Sequence, residues 1–211
     1  MLTLALCRDS VSAREGRREA FEPHIQYLRR IMGTIRLAAP LAISDGARID
    51  GGDALVASIF VLESPSFLGA RELMSADPYF TSRVWETVSL FQIEQPSGPW
   101  ASGSTGVTGR LYAALHEPSD QPVPGPADLK GYASELGDSL TFAGLTRFKD
   151  RLGVARAADE VGFALTLLGA ASLNIANELI NQAIGRLRLP WRGLVWAIPR
   201  GVGTWTADTT L

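Results

Sequence analysis

Of the side chains in this 211-residue chain, the two histidines are those that ordinarily titrate near neutrality, and their settings differ. His24 stands in Glu22-Pro23-His24-Ile25-Gln26-Tyr27-Leu28, at the start of a helical pattern, where an imidazole can serve as general base or acid. His116 ends an apolar run with no companion motif and reads as structural. Cys7 closes the apolar run from Leu2 with only Arg8 nearby to lower its pKa, so it reads as a buried strand residue and not a nucleophile. No Cys/His group has metal-ligand spacing, and the glycines within 46–52 and 98–109 lack the strand-glycine-helix order of a phosphate loop. The expected chemistry is proton transfer, with no metal, cofactor or nucleotide.

Other residues are candidates for holding a substrate. Tyr27, three positions after His24 on one helix face, could donate to a substrate oxygen. Tyr79, Phe80 and Trp85 could line a pocket suited to a flat, apolar ligand, although core packing is the alternative for each. Arg8, at the end of the first strand, could orient a substrate.

These residues must be carried by defined elements. Leu2 to Cys7 reads as a buried strand, and Arg8 to Glu19 as a polar loop or helix lead-in. Phe21, Ile25, Leu28 and Met32 mark one helix face, with Pro23 in the first turn and Gly33 as a stop. Ile35 to Ile43 and Ala54 to Leu62 read as two strands of a hairpin. Ser64-Pro65 opens a second helix, and Val84 to Ile93 supplies a further strand, completing a β-α-β-β-α-β order.

Residues 96–109, rich in Gly, Ser and Pro, read as a linker. Beyond them the elements recur. Strands are expected at Leu111 to Leu115, Leu140 to Leu145, Val161 to Leu168 and Leu194 to Ile198, and helices at Leu129 to Leu136 and Ser172 to Ile184.

The recurrence extends to the residues. Laid without a gap over 159–180, residues 53–74 pair Asp53 with Asp159, Leu62 with Leu168, Ser66 with Ser172, Ala70 with Ala176, Glu72 with Glu178 and Leu73 with Leu179. The expected fold is therefore α+β: two ferredoxin-like β-α-β-β-α-β units, at 1–95 and 110–211, packed face to face or closed as a pseudo-dimeric barrel. Each sheet would cover the face that the other leaves bare.

Composition sets the class. Apolar residues make up 46% and charged residues 20%, with a net charge of −2 and no basic stripe, which predicts a globular protein with no nucleic-acid partner. Leu2 to Cys7 is too short for a signal segment and Val161 to Ala171 too short to span a bilayer, so a cytoplasmic protein without a membrane partner is expected.

His24 at the start of the first helix, the Gly33…Ala39-Pro40-Leu41 passage and Asp77-Pro78-Tyr79 after the second helix together resemble the YciI-related family. The resemblance covers about residues 1–95, and the remainder only through the internal repeat. It implies a unit that pairs into a dimeric α+β barrel, and a histidine and an aspartate as the active pair, here His24 and Asp77. The family's best characterised chemistry is removal of chloride from a chlorinated hydroxyquinol. In the second half Asp128 stands in place of His24 and Ala183 in place of Asp77, so that half is expected to be degenerate.

A carboxylate beside an imidazole fixes its tautomer and raises its basicity, which makes the pair a cofactor-independent acid/base device. The expected activity is elimination, isomerisation or cyclisation (a lyase, isomerase or cyclase) on a small aromatic, quinoid or polyketide-like molecule. The alternatives are a cofactor-free oxygenase of a phenolic substrate and a non-catalytic binding or partner protein. The chain is expected as a monomer, acting as its own pseudo-dimer, or as a homodimer.

Overall fold

A computed structural model of the chain describes residues 1–45, 55–98, 110–118, 125–153, 164–189, 191–198 and 205–206. The described residues form nine strands and six α-helices. In chain order these are β1 (Leu2–Asp9), α1 (Ala13–Glu19), α2 (Phe21–Arg30), β2 (Ile35–Ala42), β3 (Leu55–Glu63), α3 (Phe67–Ser75), α4 (Pro78–Thr81) and β4 (Trp85–Ser97), followed by β5 (Arg110–Pro118), α5 (Pro126–Leu136), β6 (Leu140–Leu152), β7 (Ala164–Ala170), α6 (Leu173–Leu187), β8 (Trp191–Ala197) and β9 (Trp205–Thr206).

The strands join in the order β3-β1-β4-β6-β7-β5-β8-β2, and a β2–β3 pairing closes the ring into an eight-stranded antiparallel barrel, with β9 added against β2. The first four strands lie as β4-β1-β3-β2 and the next four as β8-β5-β7-β6, the same order in both halves. The halves meet along two seams. One is long, from Val88↔Leu152 to Ser97↔Ala143 between β4 and β6; the other is the single pair Ala42↔Ala197 between β2 and β8.

Period-two alternation decides which side chains face where. On β1, Leu4 and Leu6 join the barrel interior with Leu37, Ile59, Phe91 and, from the second half, Phe142 and Leu165. Ala5 and Cys7 point the other way, into a core shared with the helices of the first half. The second half covers its outer face with α5 and α6. Each fully buried Leu, Ile or Phe contributes about 1.5–3 kcal/mol, so both layers are needed to hold the sheet.

Local sequence departs from expectation in four places. Residues 13–19, read as loop or lead-in, form α1. The cap of α3 is Ser66, whose Oγ accepts from Gly69 N–H, whereas Ser64 lies before the helix and donates to the Ser66 carbonyl. Strand β4 runs to Ser97, into the expected linker; Pro96 is accommodated because the register shifts between Glu94↔Leu145 and Ser97↔Ala143, so no ladder N–H is required of it. Strand β6 continues to Leu152, and the chain turns at Gly153, whose φ of +88° suits glycine and where a Cβ would lie 2.5 Å from the Glu86 carbonyl oxygen.

The expected hairpin connection at 46–54, most of the linker, residues 119–124 and the start of the strand expected at Val161 to Leu168 lie outside the described residues. Among the described residues no helix is long and apolar enough to cross a membrane, and no group of three or more His, Cys, Asp or Glu side chains could hold a metal ion.

A candidate active site between the first-half helices and the sheet

The interruption of the helix between α3 and α4 creates the site. Pro78 cannot extend α3 and sits at the start of α4, with Asp77 as the cap: its Oδ1 accepts from Tyr79 N–H at 2.8 Å. The same oxygen lies 2.8 Å from His24 Nδ1, which α2 presents from its first turn. Asp77 is 1% exposed and His24 7%, so this contact is made largely out of water. The ionised carboxylate is acceptor-only, so the network assigns the proton to Nδ1 and leaves the Nε2 lone pair available.

Three aromatic rings fix the imidazole. Tyr79 stacks on it with centroids 3.8 Å apart and planes 9° from parallel, while Trp85 and Phe60 meet it edge-on at 5.7 and 6.4 Å. The Tyr79 hydroxyl donates to the Arg17 carbonyl, and burial pushes its pKa up to about 12, so it stays protonated. Trp85 Nε1 and Asp77 Oδ2 are sealed from solvent with no hydrogen-bond partner among the described residues.

His24, Phe21, Phe60 and Tyr79 line a cleft with Arg17 and Ser58, the rest of its wall being aliphatic. His24 Nε2 has no hydrogen-bond partner among the described residues, so it is free to meet a ligand there. Arg17 forks onto Asp9 through Nε and Nη2, at 3.0 and 2.7 Å, and Nη2 also reaches Ser58 Oγ at 3.0 Å and the Ala57 carbonyl at 3.4 Å.

Thus His24 and Asp77 are brought into contact, with Tyr79 against them. Trp85 buttresses the imidazole from behind and does not line the cleft. Tyr27 turns away, its hydroxyl donating to the Leu73 carbonyl at 2.7 Å, so it ties α2 to α3. Phe80 is partly buried against the core and outside the cleft wall, and Arg8 is exposed on β1, also outside it. Burial chiefly, with the charges of Asp77 and Asp9, raises the Cys7 thiol well above its usual range and keeps it unreactive.

Arg17 and Ser58 were not legible as site residues. The signal for Ser58 was a hydroxyl in the otherwise apolar 54–62 run; Arg17 offered none, because its helix was itself read as loop.

No family model and no curated sequence matches the chain. Solved structures do. A protein from Fusobacterium nucleatum assigned as a monooxygenase superimposes with a TM-score of 0.51 at 8% identity, over 97% of this chain and 96% of that one. The shared feature is the fold. A 5-chloro-2-hydroxyhydroquinone dehydrochlorinase from Burkholderia phenoliruptrix, in complex with 2,5-dihydroxybenzoquinone, matches with a TM-score of 0.41 at 18% identity, over 45% of this chain and 95% of that one. A Lactobacillus acidophilus protein, also assigned as a monooxygenase, matches with a TM-score of 0.48 at 9% identity over 98% of this chain and 96% of that one.

The second half carries other residues at the positions matched to His24 and Asp77. Asp128, expected where the first half has His24, caps α5 by accepting from Gly125 N–H at 2.9 Å. Ala183 is buried inside α6, which runs straight through the point where α3 and α4 part around Asp77. The two halves retain the same helix start, since Ser66 Oγ accepts from Gly69 N–H and Ser172 Oγ from Ile175 N–H.

Proposed function

We propose that the chain is a cofactor-independent acid/base enzyme of the lyase, isomerase or cyclase type, acting through His24 and Asp77 on a small aromatic, quinoid or polyketide-like molecule. The observation that carries this is the buried contact between His24 Nδ1 and Asp77 Oδ1, with Nε2 unbonded at an aromatic-lined cleft. In this reading Nε2 takes a proton from a C–H or O–H of the substrate. The released electron pair then expels a leaving group, closes a ring, or is reprotonated by the same imidazole at another carbon. Asp77 stabilises the transient imidazolium, and Tyr79 and Trp85 hold the ring in plane.

The companion reading of the architecture is a tandem of two ferredoxin-like units, 1–95 with the site and 110–211 degenerate, joined by 96–109. Such a chain is its own pseudo-dimer and carries one site.

The test is turnover of a panel of substituted hydroxyquinols, hydroxyquinones and enolisable polyketide analogues, followed by mass spectrometry. Loss of turnover in both His24→Ala and Asp77→Asn supports the proposal, and full turnover in both ends it. Oxygen consumption during turnover would favour a cofactor-free oxygenase instead. A ligand bound tightly and recovered unchanged would favour a binding protein.

A further inference from the structure

The polar groups of the cleft are unbalanced. Arg17 offers five N–H groups. Nε and Nη2 are engaged by Asp9, Ser58 and the Ala57 carbonyl, and the guanidinium also lies beside Tyr79, where it partly offsets the rise that burial gives the Tyr79 hydroxyl pKa. Ser58 Oγ accepts from Arg17, which leaves its own O–H without an acceptor among the described residues, on a side chain in a residue only 4% exposed. Both residues line the cleft that His24 lines. Here, then, two donor groups lie side by side in a wall that, apart from His24 and the Tyr79 hydroxyl, is aromatic or aliphatic.

The Asp9 fork explains why the arrangement is stable. Arg17 and Asp9 side chains are 11% and 9% exposed, so each charge needs the other, and the bidentate geometry fixes the guanidinium plane. Asp9 closes β1, Ser58 lies on the adjacent β3 with Cys7 opposite it, and Arg17 comes from α1 packed above. Three elements converge to aim donors at one place. In the second half the residue at the same register, opposite His116, is Ala164, so the hydroxyl is absent there together with the His24 and Asp77 equivalents.

We infer that Arg17 and Ser58 form an oxyanion subsite that binds an acidic oxygen of the substrate, an ionised phenol or enol, in the cleft that holds His24. The class of ligand follows from chemistry: two donors, one of them cationic, select an acceptor carrying negative charge, and the flat apolar surround selects a conjugated ring to carry it. The inference rests on the acid/base reading for its consequence. When Nε2 removes a proton from a carbon conjugated to a carbonyl at this subsite, the C–H pair forms the new C=C bond and the C=O pair moves onto the oxygen, giving the ionised enol that Arg17 and Ser58 hold; the C=O bond re-forms when the proton is redelivered to carbon or a leaving group departs with its bonding pair. Asp9 acts as a positioning residue through Arg17.

The probes are 4-nitrophenol and its methyl ether, 4-nitroanisole, titrated into the intact chain by calorimetry and by the absorbance of the nitrophenolate. The wild type is expected to bind the ionised phenol at least about tenfold more tightly than the ether, and to lower the pKa of the bound phenol. Ser58→Ala, which leaves the Arg17–Asp9 fork whole, is expected to remove most of that preference while ether binding stays within about twofold. The double substitution Asp9→Asn with Arg17→Gln, which buries no lone charge, is expected to abolish it. Equal affinity for phenolate and ether in the wild type, or an unchanged preference in both variants, overturns the inference. The acid/base reading is read separately: His24→Gln is expected to retain the phenolate preference, so a silent His24 in turnover assays would end that reading while leaving the subsite standing.

Discussion

His24 and Tyr79 lie face to face because one carboxylate oxygen holds both: Asp77 Oδ1 accepts from the imidazole and from the Tyr79 backbone N–H, each at 2.8 Å. The helix cap and the candidate catalytic contact are thus the same atom. Local folding of 77–81 and orientation of His24 cannot be separated.

That coupling makes the imidazole tautomer measurable without a substrate. Nitrogen-15 NMR of the neutral ring is expected to show the proton on Nδ1 and a bare Nε2. In Asp77→Asn the amide can turn its NH2 toward the ring and favour the other tautomer, so activity is expected to fall by about 10²–10⁴-fold. A bare Nδ1 in the wild type would contradict the arrangement.

Tyr79 separates stacking from hydrogen bonding. Tyr79→Phe keeps the ring against His24 and loses the bond to the Arg17 carbonyl, at a cost of about 1 kcal/mol. Tyr79→Ala removes a buried aromatic ring and is expected to cost about 3–5 kcal/mol. Urea midpoints of the two variants check the difference; equal losses would mean that the stack contributes nothing.

The second half carries an acid-sensitive core. His116 is fully buried beside Tyr132, whose hydroxyl lies 2.9 Å from Nε2, and burial pushes the imidazole from an ordinary 6.5 down to about 3. The folded state therefore holds the ring neutral while the unfolded chain takes up a proton first. Stability is complete above pH 6.5 and declines as pH falls from there toward about 3. Urea midpoints between pH 7 and 4 should fall in the wild type and fall less steeply in His116→Leu; parallel slopes would assign the acid sensitivity elsewhere.

Asp45 joins the two halves at the end of β2, accepting from the Tyr112 hydroxyl at 2.6 Å and from Leu173 N–H, at the start of α6, at 2.8 Å. Burial alone would raise its carboxyl, but these bonds and the Arg110 guanidinium together lower it. Its contribution is present above the ordinary carboxylate value and is lost as pH falls through the lowered one. Asp45→Ala is expected to cost about 0.5–2 kcal/mol, as loss of a helix cap does. Thermal melts at neutral pH check this, and an unchanged melting temperature would show that Ser172 suffices.

The sequence by itself determined most of the element types and their β-α-β-β-α-β order in each half, and it singled out His24 as the candidate acid/base residue, because strand alternation, helix periodicity and Pro or Gly punctuation are local properties. It showed too that Asp128 and Ala183 stand at the positions matched to His24 and Asp77. Only the tertiary structure decided that the two sheets close into one barrel through β4–β6, and that Asp77 meets His24 from 53 residues away. It also turned Tyr27 toward Leu73 and brought Arg17 and Ser58 into the cleft. Side-chain direction in these cases depends on how α1 and α2 cross the sheet, and that crossing is set by packing between distant segments, which no local pattern encodes.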